Sequence, residues 1–179
     1  EISLGLVGSE MCIRDSGTTK LMDFLDEQRM HRLYEKFILE YFRKEHPDLT
    51  VGAPQSPWQL DDDFSDMLPV MKSDIVLEKD DTILIIDAKY YAHTTQQRFN
   101  KATVHSANLY QIFTYVKNKQ EELKDRQVTV SGMLLYAKTD EQIVPDNTYQ
   151  MSGNQISVKT LDLNCGFDEI REQLDKLMI

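Results

Sequence analysis

The segment that most constrains this chain is Ile83-Leu84-Ile85-Ile86-Asp87-Ala88-Lys89, an unbroken apolar run that ends in two opposite charges. A short apolar run bounded by turn signals reads as a strand buried on both faces, and such strands belong to sheets covered by helices. Side chains alternate along a strand, so Ile83, Ile85, Asp87 and Lys89 share one face. The charges are expected to begin where the buried part of the strand ends. Ser73–Glu78 and Thr82–Tyr91 read as two strands, and the turn-prone Lys79-Asp80-Asp81 joins them as a hairpin. That pairing brings Asp74 towards Asp87 and Lys89.

Around this hairpin the remaining pattern alternates helix and strand. From Leu21 to about Glu45 the period is helical, with Tyr34, Phe37, Ile38, Tyr41 and Phe42 as the apolar stripe and Pro47 as the stop. An irregular stretch follows, carrying Pro54, Pro57, Pro69 and the acidic run Asp61, Asp62, Asp63 and Asp66, read as a solvated loop. Lys101–Lys124 reads as a second helix with Leu109, Ile112, Phe113 and Val116 at core spacing. Val128–Ala137 and Ile156–Leu161 read as strands and Phe167–Met178 as a closing helix. The predicted class is α/β, with a mixed central β-sheet flanked by helices. Residues 1–16 keep no helical or strand period and look like a translated sequencing-adapter run, so they are set aside as a non-native tail. The expected domain is therefore 17–179, a length that suits one core.

Two acids and a lysine at the mouth of a buried sheet are costly unless a cation or a substrate uses them. Hard divalent ions such as Mg²⁺ take oxygen ligands of this kind. An isolated Asp-x-Lys on a strand is more often a plain salt bridge, so neighbouring features must decide. Glu35 lies at the edge of the first helix's stripe, in line with Leu39 and Phe42, where it can aim along the core. Asn108, Gln111 and Tyr115 form a polar line on the second helix, by default a solvated face and otherwise the border of a groove.

Composition sets outer limits. Only Cys12 and Cys165 occur, which argues against a disulfide framework and a structural zinc site and fits a reducing compartment, hence a cytoplasmic protein. No run approaches the length of a membrane helix. The net charge of −10 works against phosphate binding and taken alone favours a protein or small-molecule partner. Metal ions in the acid cluster, or a second chain that grips DNA, would weaken that objection.

The order of Glu on a first helix, then Asp, then Asp-x-Lys on a hairpin resembles the PD-(D/E)xK nuclease superfamily, with its restriction-endonuclease-like core. Gln111 and Tyr115 match the Gln-x-x-x-Tyr pattern of some branches. The stretches LYEKFILEYFRKEHP, PWQLDD, ILIIDAKYY and NLYQIFTYVKNK are similar to the C-terminal nuclease domain of the McrC family, the cleavage subunits of 5-methylcytosine restriction systems. Ser73 stands where the superfamily has its Pro, which leaves the acid in place. The resemblance implies that Glu35, Asp74, Asp87 and the Ala88 carbonyl hold Mg²⁺, with Mn²⁺ able to substitute. It implies that Lys89 positions the attacking water and that Gln111 and Tyr115 orient the DNA backbone or the ligands. The implied substrate is double-stranded DNA and the implied partner an McrB-like GTPase subunit, engaged through an N-terminal domain that this chain does not carry. The alternatives are a standalone repair or recombination nuclease of the superfamily and an inactive nuclease-like module that binds DNA or a partner. A nucleotide-hydrolysing domain is disfavoured, because no GxxxxGK[ST] loop occurs.

Overall fold

The computed structural model describes residues 26–62, 64–90, 95–98, 101–138 and 144–178, with backbone alone at 95–98 and 101–103. A first helix, α1 (26–45), leads into three short strands, β1 (Thr50–Gly52), β2 (Gln55–Ser56) and β3 (Met71–Lys72). The central hairpin is β4 (Ile75–Lys79) and β5 (Thr82–Lys89), followed by a second hairpin of β6 (Thr95–Arg98) and β7 (Lys101–Val104). Helix α2 (Ser106–Glu122) crosses to β8 (Thr129–Ala137), and the chain ends with β9 (Asn147–Met151), β10 (Asn154–Leu161) and α3 (Phe167–Asp175).

Six strands form one mixed sheet in the order β1-β4-β5-β8-β10-β9. β4 and β5 pair antiparallel with Ile75 opposite Ile86, while β5, β8 and β10 run parallel. The parallel step from β5 to β8 needs a long crossover, and α2 supplies it. Asp80, at φ 51, makes the tight turn of the central hairpin, and Ser152-Gly153, both at positive φ, make that of β9 and β10.

The expected alternation now gains its physical sense. Leu84, Ile86 and Ala88 pack with Tyr34, Ile38 and Phe42 of α1, and Leu174 of α3 joins the same layer. On the opposite face Ile83 and Ile85 pack with Ile112 and Val116 of α2 and with Ile156. Gly132 on β8 lets α2 come close, since a Cβ there would lie 2.7 Å from Val116 and 2.8 Å from Ile112. The fold is α/β with helices on both faces, consistent with a restriction-endonuclease-like core. Among the described residues no helix is long and apolar enough to cross a membrane.

Some expectations need correction. The second helix starts at Ser106, because Lys101–Val104 pairs with Thr95–Arg98 as a hairpin. The stretch read as irregular contains β1, which extends the sheet at its edge, and the two-stranded β2–β3 ribbon. β9, whose side chains are nearly all exposed, was not expected from its pattern. The 1–16 tail and the first residues of the predicted first helix lie outside the described residues.

Candidate active site

The site forms where β5 outruns its partner. The β4–β5 pairing stops at Ile75 opposite Ile86, so Asp74 sits at the bend before β4. Its Oδ2 accepts the backbone N–H of Ala88 at 3.0 Å. The carboxylate thus caps the strand edge and is fixed beside Asp87 and Lys89. Ala88 is itself fully buried.

Asp87 is 1% exposed and Lys89 6% exposed. The charges therefore lie inside the buried part of the strand and not beyond it, a correction to the sequence reading. As residues two apart on one face, they pair, with Lys89 Nζ 2.8 Å from Asp87 Oδ2. Lys89 Nζ also donates to Gln111 Oε1 at 3.3 Å, and Gln111 Nε2 donates to the Tyr115 hydroxyl at 3.1 Å. Of the two readings left open for this polar line, the structure shows no solvated face at Gln111, which links Lys89 to Tyr115. The line's third member, Asn108, is buried and donates to the Tyr136 hydroxyl at 2.9 Å.

Glu35 approaches from α1. Its carboxylate meets His31 Nδ1 at 2.7 Å, one helical turn away. That bond, and then its charge, raises the His31 pKa against the opposing effect of burial. His31 was not anticipated from the sequence, although its i, i+4 spacing to Glu35 was visible. Glu35 and Asp74 together line a cavity of about 260 Å³, with Arg32, Lys36, Leu39 and Lys72 on its wall. A wider hollow of about 560 Å³ around Trp58, Leu60 and Pro69 has no titratable side chain in its lining, so the chemistry does not belong there.

Burial is the first cause of the unusual acidity, followed by charge. Asp74 is pushed up to about 7 by burial, then by the neighbouring charges of Asp87 and Glu35. Asp87 is also raised by burial, against the pull of Lys89. No three His, Cys, Asp or Glu side chains among the described residues are gathered closely enough to hold a metal ion between them. Glu35 is engaged by His31 and Asp87 by Lys89. The donors nevertheless suit a hard divalent ion. Among the described residues neither enclosed oxygen of Asp87 completes a hydrogen bond of sound geometry, and the adjoining acid, Asp74, is strained towards protonation. A buried and a half-buried acid that resist ionising side by side are relieved by a cation.

The same stretch of chain carries a family likeness. A family model described as McrBC 5-methylcytosine restriction system component matches residues 14–137, a span that holds Glu35, Asp74, Asp87, Lys89, Gln111 and Tyr115. The chain is 28% identical over 173 residues to the type IV methyl-directed restriction enzyme EcoKMcrBC of Escherichia coli strain K12. That alignment covers 94% of this chain and 48% of the relative, so the chain spans about half the length of the curated relative it matches.

Proposed function

Since the chain belongs to the McrBC family of 5-methylcytosine restriction system components, we propose that it is the DNA-cutting domain of such a system, a metal-dependent endodeoxyribonuclease. The observation that carries this reading is the buried Asp87–Lys89 pair beside the strained Asp74 at the end of β5. A purely structural ion pair does not need a second, half-buried acid beside it, because that acid only adds a desolvation cost.

Asp74 and Asp87 hold a divalent ion, with Glu35 and the Ala88 carbonyl as further oxygen donors. Mg²⁺ is the expected ion, and Mn²⁺ substitutes for it. When bound, the ion supplies positive charge at the scissile phosphate and a more acidic water. Lys89 lies between Asp87 and Gln111, and from there it orients the attacking water and offsets charge that develops on the phosphate. Gln111 and Tyr115 fix the direction of the Lys89 ammonium. His31 holds Glu35 until the site fills. Base recognition and the timing of cleavage come from a GTPase partner of the McrB kind, and the system works in the cytoplasm.

Supercoiled plasmid carrying 5-methylcytosine, incubated with this chain, Mg²⁺ or Mn²⁺ and an McrB-like GTPase with GTP, tests the reading. Nicked and linear products that vanish on chelation support it. Intact plasmid under every one of these conditions overturns it.

A further inference from the structure

The net charge of −10 is not spread evenly over the chain. Between Asp87 and Glu121 there is no Asp or Glu at all, and all 30 acidic residues fall outside that stretch. The same stretch carries Lys89, Arg98, Lys101, Lys117 and Lys119. It is also the part of the chain that leaves the site and returns to it. It departs at Lys89, forms the β6–β7 hairpin, and comes back along α2 to Gln111.

The hairpin joins the α2 side of the sheet at its last residue. Val104, its last residue, packs against the buried cluster of Ile83, Ile85 and Ile112. At the other end of the ladder, Arg98 is paired in register with Lys101. Like charges at directly opposed strand positions destabilise a ladder. A cationic pair there, in a protein this acidic, is the reverse of what folding alone favours, and a polyanion lying across it removes the penalty. Helix α2, which follows the hairpin in the chain, has no acid in its first turn, and its Tyr110 is 69% exposed.

We infer that the β6–β7 hairpin is the strand grip of this domain: Arg98 and Lys101 contact the phosphate backbone of duplex DNA and lead it to the site beside Lys89. This rests on the proposed nuclease reading and adds to it the surface by which an acidic chain holds a polyanion. The grip is local and independent of base sequence, since phosphate contacts position the duplex without reading it. Lys89 is taken up in the site, and Lys117 and Lys119 lie on α2, whereas Arg98 and Lys101 are the pair that the ladder sets opposite each other. The test therefore addresses Arg98 and Lys101.

Fluorescence anisotropy of a labelled unmethylated duplex of about 30 base pairs, followed over a salt series in chelator so that no cleavage occurs, reads the grip directly. Three proteins are compared: the parent, the double variant Arg98→Gln with Lys101→Gln, and a charge-matched control, Lys44→Gln with Lys124→Gln. The control residues are exposed and lie outside the acid-free stretch. Circular dichroism establishes that each is folded. The hairpin variant is expected to bind at least about tenfold more weakly, with a log–log salt slope reduced by roughly 2, while the control stays within about twofold of the parent. Equal weakening of both variants would show that only net charge matters and overturn the grip. Parental affinity and slope in the hairpin variant would overturn it too, leaving the nuclease reading in place. A parent that binds no duplex at any salt concentration removes the grip, and nicking of plasmid with metal then decides separately whether the nuclease reading survives.

Discussion

Gly132→Ala is a small change that the structure turns into a large one. Gly132 lies on β8, between Ile85 of β5 and Ile156 of β10, directly beneath α2. An added Cβ would meet Val116 Cγ2 at 2.7 Å, Ile112 Cγ1 at 2.8 Å and Ile156 Cδ1 at 3.0 Å. Carbon atoms prefer about 3.5–4.0 Å, so each contact falls short by roughly 0.5 Å or more. Ile112, Val116 and Ile156 are all fully buried, and no solvent-facing side can absorb the shift. Overpacking of this kind costs about 1–3 kcal/mol, and the reduced backbone freedom of alanine in the unfolded chain returns about 0.4–1 kcal/mol. With three contacts this short the overpacking cost lies in the upper part of its range, at about 2–3 kcal/mol. The net loss is therefore about 1–2.6 kcal/mol, a fall of roughly 2–10 °C in Tm for a chain of this size. The displaced helix is the one that carries Gln111, next to Ile112, so its 3.3 Å bond to Lys89 lengthens and cleavage slows by about tenfold or more. Thermal unfolding and plasmid nicking are measured on the same preparation. Adding Val116→Ala removes the closest obstacle and restores part of both losses. A Gly132→Ala protein as stable as the parent would refute the packing argument.

Other outcomes follow from the same geometry. Lys89→Met leaves Asp87 enclosed without its cation and costs about 3–5 kcal/mol in urea unfolding, whereas Lys89→Met with Asp87→Asn recovers most of the loss. Additive losses in that cycle would show that the pair is not coupled. Asn108→Ala removes the buried hydrogen bond to the Tyr136 hydroxyl and costs about 0.5–1.5 kcal/mol, and a neutral effect would mean that the bond does not contribute. Asp74 has a folded-state pKa raised from the usual carboxylate value to about 7. Below its unfolded pKa the proton is bound in both states, and stability then declines as pH rises towards 7 in metal-free protein. Mg²⁺ should therefore raise Tm more at pH 8 than at pH 5, and an equal rise at both would contradict a metal held by this acid.

The sheet's centre was legible because burial on both faces leaves a signature, the unbroken run from Ile83 to Ile86 closed by Asp87 and Lys89. α1 was legible for a similar reason, since its stripe of Tyr34, Ile38, Tyr41 and Phe42 is the face packed on the sheet. β9 left no such trace, because an exposed edge strand such as Asn147–Met151 has no apolar side to alternate. Lys101–Val104 was taken into the helix because four residues show too little period to be separated from the helical run behind them. Order and spacing pointed to Asp74, Asp87 and Lys89 and the family resemblance to Gln111, and the fold brings these four side by side. Asn108 was left between a solvated face and a groove border because its partner, Tyr136, lies far along the chain on β8. His31 was passed over because a His–Glu pair one helical turn apart is ordinary on any exposed helix, and only the fold turns it towards Asp74. The depth of Asp87 was underestimated because α2 covers that end of β5, which no local pattern encodes.

The central claim is that Asp74 and Asp87 hold the metal that cuts DNA. Asp74→Asn is the sharpest probe, since the amide oxygen can still accept the Ala88 N–H while the strained charge is gone, so the fold is expected to gain stability. Nicking of supercoiled plasmid is measured with Mn²⁺ for the parent, Asp74→Asn and Asp87→Asn, each with the GTPase partner present. The account predicts cleavage by the parent and a loss of at least about a hundredfold in Asp74→Asn, despite a Tm at or above that of the parent. Cleavage by Asp74→Asn at the parental rate would contradict it.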